Sequence, residues 1–144
     1  AGVEIVTGDL TDAATLPASL RGTFDAVLLD APCTGIGTLR RRPEVRYVRR
    51  PGDFATAAAI QERLLRGAVE LVAPGGRLVY AVCSFAPEEG EDVVRRVLSD
   101  RPDLSIKPVD GTVTAPIRRP DGTCLSLPWR DGMDGFFFAR LRKD

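Results

Sequence analysis

The chain has 144 residues, 44% hydrophobic and 28% charged, with a formal net charge of zero and no histidine. That length suits one domain burying roughly 70% of its unfolded surface, and a zero net charge excludes recognition of a polyanion by overall charge alone. Without histidine a Ser-His-Asp triad is excluded, and any general acid or base must be Asp, Glu, Cys, Lys, Tyr or water.

The apolar runs fall far short of the ~20 residues a membrane helix needs, and no basic-then-apolar leader opens the chain. The chain begins without Met at a strand-like Ala1-Gly2-Val3, which suggests a piece of a longer protein. Its three cysteines, Cys33, Cys83 and Cys124, are odd in number and widely spaced. That argues against a disulfide framework and a zinc site, and for reduced thiols in a cytoplasmic protein.

In chain order, Val3 to Thr7 reads as a short strand ending at Gly8-Asp9. Thr11 or Asp12 caps a short helix over Ala13 to Leu16, which Pro17 limits. Phe24 to Asp30 is a second strand. Its continuous run Ala26-Val27-Leu28-Leu29 is expected where a parallel sheet is covered on both faces. Asp30, Ala31, Pro32, Cys33, Thr34 and Gly35 follow at its carboxyl end, where open α/β sheets bind ligands. The acid and thiol there are candidates for chemistry. The plain alternatives are a turn-capping Asp and a core-filling Cys.

Between Arg40 and Arg50 lie six arginines (40, 41, 42, 46, 49 and 50) against one acid, Glu44, with Tyr47 among them. Such a cluster suits phosphates, with Tyr47 available to stack on a base; the alternative is a solvated arginine-rich loop. Asp53 is the expected N-cap of a long helix reaching about Val72. Ala57, Ile60, Leu64, Ala68, Leu71 and Val72 form its apolar face, and Pro74-Gly75-Gly76 ends it. Arg77 to Val82 is a third buried strand with Cys83-Ser84 at its end.

Pro87 opens the next helix, Glu88, Glu89, Glu91 and Asp92 load its first turns in keeping with the helix dipole, and Val93, Val94, Val97 and Leu98 form its core side. Leu104 to Ile106 is a short strand, Pro108 to Gly122 a loop, Leu125 to Leu127 a short extended piece, and Phe136 to Leu141 a final strand. The β-α-β alternation implies an α/β fold with a mainly parallel, doubly wound sheet. The last two strands lack a helix between them and are expected to pair antiparallel at one edge. A right-handed crossover through the long helix would set the strands ending near Cys33 and Cys83 side by side, with both thiols on one crevice.

Three stretches then stand out: LLDAPCTGIGTLRRRPEVRY, RLLRGAVELVAPGGRLVYAVCSFAPEEGE and LSLPWRDGMDGFFFARL. Together they resemble the Sun/Fmu group of S-adenosylmethionine-dependent RNA cytosine-5 methyltransferases, over nearly the whole chain. The resemblance implies a single, incomplete, Rossmann-like methyltransferase domain over residues 1–144, acting on RNA, most readily rRNA. It implies that Cys83 is the nucleophile, Cys33 the thiol that assists product release, and Asp30 the acid near methyl donor and target base. Asp9 matches the acid that contacts the adenine end of S-adenosylmethionine, against a plain turn-capping role. Arg40, Arg41, Arg42, Arg46 and Tyr47 are the expected RNA contacts, and Cys124 is expected to be structural or incidental.

The chemistry explains the residue types. Carbon 5 of cytosine is a poor nucleophile until a thiolate adds at carbon 6. A free thiol with pKa ~8.5 is mostly protonated at neutral pH, so the site must favour its thiolate, and the base must leave its stack.

This chain departs from the family at Val82, where Thr is usual, at Tyr47, where Trp is common, and near Asp131, where a His is frequent. The glycine-rich cofactor loop, the ribose-holding acid, a motif lysine and the N-terminal RNA-binding portion would all lie upstream of residue 1. The chain alone is therefore expected to lack the first cofactor-binding strands, to bind S-adenosylmethionine weakly or not at all, to expose a sheet edge, and to self-associate or rearrange over residues 1–20. The alternatives are a DNA cytosine-5 methyltransferase, with its nucleophile in a Pro-Cys loop, a non-catalytic RNA-binding module, and, more weakly, a redox dithiol protein.

Overall fold

Chain order alternates strand and helix through most of its length, and a computed structural model describes residues 2–144. The elements are β1 (Phe24–Asp30), α1 (Val45–Val48), α2 (Pro51–Leu71), β2 (Val72–Val82), α3 (Glu91–Asp100), β3 (Leu104–Ile106), β4 (Cys124–Ser126), α4 (Pro128–Asp131) and β5 (Phe136–Lys143). The sheet order is β1-β2-β5-β3, with β4 also paired to β5.

The crossover through α2 sets β1 and β2 side by side and parallel, pairing Asp30 with Ala81 at their carboxyl ends. β5 then runs antiparallel to β2, and β3 and β4 share its far edge, one along each half. The antiparallel part of the sheet is thus larger than the single edge pairing expected: only β1 and β2 are parallel among the described residues. The final strand is interior because it is eight residues long and apolar on alternate positions, Phe137, Ala139 and Leu141 being buried.

Those three side chains, with Leu78, Tyr80 and Val82 of β2, make the face on which α2 and α3 pack. Tyr80 and Phe137 meet edge to face, centroids 6.3 Å apart. Val93, Val94 and Val97 of α3 are buried there as expected.

The buried stripe of α2 is turned by about one residue from the predicted one. Ala58, Gln61, Leu65, Ala68 and Val69 face the sheet, while Ile60 is exposed. The reason is Gln61, whose polar side chain is drawn inward by hydrogen bonds described below. Asp53 is likewise not the N-cap. It stands at the third helical position, where its carboxylate accepts the Arg50 backbone N–H at 3.0 Å, and Pro51 opens the helix. α2 passes straight into β2, and Pro74-Gly75-Gly76 is taken up in a bulge of that strand, Gly75 turning at φ 77°.

Two expectations at the front of the chain are corrected. Val3 to Thr7 forms no strand, because no neighbouring strand among the described residues pairs with its backbone; Val3 is 94% exposed. β1 is not covered on both faces. Only Leu29 is buried, and Leu28 is 71% exposed, because both long helices lie on the other side and β1 pairs only with β2. Asp12 caps the short turn Ala13–Thr15 as expected, accepting the Ala14 N–H. Among the described residues no helix is long and apolar enough to cross a membrane.

Candidate active site

Parallel pairing of β1 and β2 brings the turns after both strands together. The Sγ atoms of Cys33 and Cys83 stand 3.1 Å apart, within sulfur hydrogen-bond distance. Both side chains are half-buried and line one cleft of about 460 Å³, together with Asp30, Arg42, Glu44 and Arg49. A smaller opening of about 240 Å³ also reaches Cys33, between Pro32 and the Asp53–Ile60 part of α2. The exposed Ile60 and half-buried Ala57 line that opening.

Burial pushes the Cys33 thiol up to about 12, the hydrogen bond and charge of Cys83 add to this, and the Gly35 backbone N–H opposes them. Cys33 is therefore a neutral thiol across the physiological range. Cys124 is fully buried in β4, away from this cleft, and burial raises its thiol as well.

Below the thiols lies a buried carboxylate. Glu89 is fully enclosed in the short turn before α3. It accepts the Thr34 N–H at 2.8 Å, the Thr34 hydroxyl at 2.5 Å, the Ser84 hydroxyl at 2.6 Å and the Gln61 amide at 3.1 Å. The Gln61 amide also donates to the Pro32 carbonyl at 2.9 Å. Arg49 Nε donates to the Thr34 carbonyl at 2.7 Å, which gives that arginine a structural task.

A second knot closes the site from the β5 side. Gly37 N–H donates to the Cys83 carbonyl at 3.1 Å, and Gly135 N–H donates to the Gly37 carbonyl at 2.8 Å. The backbones approach so closely that a Cβ on Gly37 would lie 1.9 Å from the Gly135 oxygen. The Asp134-Gly135 step therefore belongs to the site.

The arginine segment is brought to the cleft, but its members differ. Arg41 Nε pairs with Asp134 at 3.0 Å and Arg40 Nε approaches the same carboxylate at 3.6 Å. Arg42 pairs with Glu44. The Arg46 guanidinium lies 5.5 Å from the centroid of the Tyr47 ring, which is 81% exposed.

Asp9 is not brought to the thiols. Its carboxylate accepts the backbone N–H and hydroxyl of Thr11, contacts that hold it below the usual carboxylate range. The next residue, Leu10, packs on Gly67, ten helical residues, or about 15 Å, beyond Ala57 at the thiol cleft.

Glu89, Gln61, Thr34 and Ser84 were not singled out in the sequence. Gln61 carried a signal, a polar side chain on the 58–61–65 stripe that packs on the sheet; Glu89 was masked among neighbouring acids that suit a helix start.

The family described as 16S rRNA methyltransferase RsmB/F matches residues 2–142. Ribosomal RNA small subunit methyltransferase B of Thermus thermophilus is 45% identical over 117 residues, covering 81% of this chain and 29% of that protein. The crystal structure of PH0851 superposes with a TM-score of 0.78 at 37% identity, over 85% of this chain and 27% of that one. NSun6 from Pyrococcus horikoshii, solved with SFG, shares the fold at a TM-score of 0.74 and 24% identity, over 97% of this chain and 34% of its own. The chain thus spans less than a third of the curated relative's length.

Proposed function

Because the chain belongs to the RsmB/F family of 16S rRNA methyltransferases, we propose that it carries the thiol half of a catalytic domain that methylates carbon 5 of cytosine in rRNA. The observation that carries this reading is the 3.1 Å approach of two sulfur atoms at the carboxyl ends of adjacent strands. Core packing alone has no need for two half-exposed cysteines on one cleft.

Cys83 is the nucleophile. Its sulfur adds to carbon 6 of an extruded cytosine, which places electron density on carbon 5. Cys33 stays protonated, so it can hold or return a proton beside the Cys83 sulfur without competing for the ring. After carbon 5 is methylated, its proton passes to the Asp30 carboxylate or to water in the cleft, the C5–H electron pair reforms the 5,6 double bond, and the Cys83–carbon 6 bond breaks to release Cys83 as thiolate. Exposed Asp30 faces the same cleft and is the carboxylate available to a cationic donor or to the cytosine amino group.

S-adenosylmethionine is the donor this chemistry calls for, supplying an electrophilic methyl group when bound. The fit is partial. Asp30 suits a sulfonium or amine, whereas Asp9 would have to leave its Thr11 contacts and come closer to the cleft to share the same ligand. Arg42, Arg46 and Tyr47, with the Asp134-held Arg40 and Arg41, form the RNA-facing rim, and a protein acting on rRNA works in the cytoplasm.

The test uses the natural gene product, an rRNA transcript and S-adenosylmethionine. Cys83→Ala should abolish methylation and form no covalent adduct, while Cys33→Ala should accumulate a denaturation-resistant protein–RNA adduct. The reverse pattern would indicate DNA-type chemistry; RNA binding that survives loss of both cysteines, with no methylation by the parent protein, would leave only an RNA-binding role.

A further inference from the structure

A carboxylate sealed in a protein interior is costly, and apolar replacements of buried charges are often no less stable. Glu89 is fully buried and, among the described residues, has no salt-bridge partner. Its bonds are directed in a pattern that stability alone does not require. Thr34 directly follows Cys33, and Ser84 directly follows Cys83. Gln61 ties the same carboxylate to the Pro32 carbonyl, on the other side of Cys33. The Glu89 backbone carbonyl is itself fixed by the Tyr80 hydroxyl at 2.5 Å.

We propose that Glu89 is the positioning residue of the thiol pair, a single carboxylate strut that holds the Cys33 and Cys83 turns at sulfur–sulfur contact. The proposal rests on the thiol-pair reading given above and assigns Glu89 no contact with RNA or cofactor. Its charge has a second effect. It disfavours a thiolate on Cys33, adding to burial and to the neighbouring sulfur. A neutral Cys33 can donate to a charged Cys83 sulfur, whereas two thiolates at this distance would repel.

The test needs no methyl transfer and uses the 144-residue chain. Glu89→Gln keeps the side-chain shape and removes the charge. Iodoacetamide alkylation at pH 8, resolved by peptide mass spectrometry, reads each thiol separately. Glu89→Gln should raise the Cys33 rate about threefold, since the Glu89 charge is a lesser contributor than burial and Cys83 to holding that thiol neutral, and leave the Cys83 rate within about twofold. Loss of the strut should also slow capture of the two thiols by phenylarsine oxide, which requires adjacent sulfurs, by about fivefold. Unchanged capture overturns the proposal, whatever the alkylation rates.

Should Glu89→Gln fail to fold, Ser84→Ala removes one strut and leaves the charge in place. Capture of the two thiols by phenylarsine oxide, which requires adjacent sulfurs, should then slow about fivefold; unchanged capture overturns the proposal. These readouts stay valid if the methyltransferase reading fails, since that reading is decided by the cysteine variants and RNA.

Discussion

Gly37→Ala should be among the most damaging single-methyl additions to this chain. The added Cβ would lie 1.9 Å from the Gly135 oxygen, 2.7 Å from the Gly135 carbonyl carbon and 2.9 Å from the Cys83 oxygen. All three are backbone atoms, so no flexible side chain can swing aside. Relief requires separating the segments, which breaks the Gly37–Cys83 and Gly135–Gly37 hydrogen bonds. Each bond contributes about 1 kcal/mol, and overpacking adds about 1–3 kcal/mol. The sum, about 3–5 kcal/mol, is a large part of the ~5–15 kcal/mol that holds a domain folded. With a urea slope near ~2 kcal/mol/M, the midpoint should fall by about 1.5–2.5 M. Gly52→Ala is the control: its Cβ meets nothing within 4 Å, and the midpoint should stay level or rise slightly. A Gly37→Ala chain as stable as the parent would refute the close approach and the knot built on it.

Four further outcomes are expected. Cys33 has a raised folded-state pKa, so its contribution to stability is full below the unfolded value near 9.0 and is lost as pH rises toward about 12. Denaturation at pH 8 and pH 10.5 should show a larger loss in the parent than in Cys33→Ser, and equal losses would contradict the assignment. Tyr47→Ala should weaken RNA binding by the ~1–3 kcal/mol of one stacked base while leaving the melting temperature unchanged, as its exposure requires. Arg42→Ala should lower the salt slope of RNA binding by about 0.7, whereas Arg49→Ala, which removes the bond to the Thr34 carbonyl, should instead cost about 1–3 kcal/mol of stability by urea titration. Calorimetry on the 144-residue chain should detect no micromolar binding of S-adenosylmethionine, and a clear micromolar isotherm would show that the chain holds a sufficient cofactor cradle.

What the sequence made legible was what local pattern controls. Strand β1 and the carboxyl end of β2 were readable because each apolar run ends abruptly in a polar turn, whereas the start of β2 at Val72 was not. Their adjacency follows from the handedness of a crossover through a long helix, and it is what sets Cys33 and Cys83 side by side. What stayed hidden depended on partners far along the chain. The strand expected at Val3–Thr7 fails because strand formation needs a neighbour, which no local propensity reports. Period counting sets the stripe of α2 one residue off because it treats glutamine as solvent-facing, while Gln61 is held inside by Pro32 and Glu89. Glu89 was hidden by its setting, since Glu88, Glu91 and Asp92 are ordinary helix-start acids and nothing local says that one of four turns inward. Gly37 was unreadable for the same reason: its partner, Gly135, lies nearly a hundred residues away.

The most direct test of the central assertion uses rRNA containing 5-fluorocytidine, in which loss of a proton from carbon 5 is blocked and a thiol adduct cannot be released. Incubated with the natural gene product and S-adenosylmethionine, digested and mapped by mass spectrometry, the RNA adduct should be found on the peptide carrying Cys83, and Cys33 should be unmodified. An adduct on Cys33, or none on either thiol with RNA bound, would contradict the account.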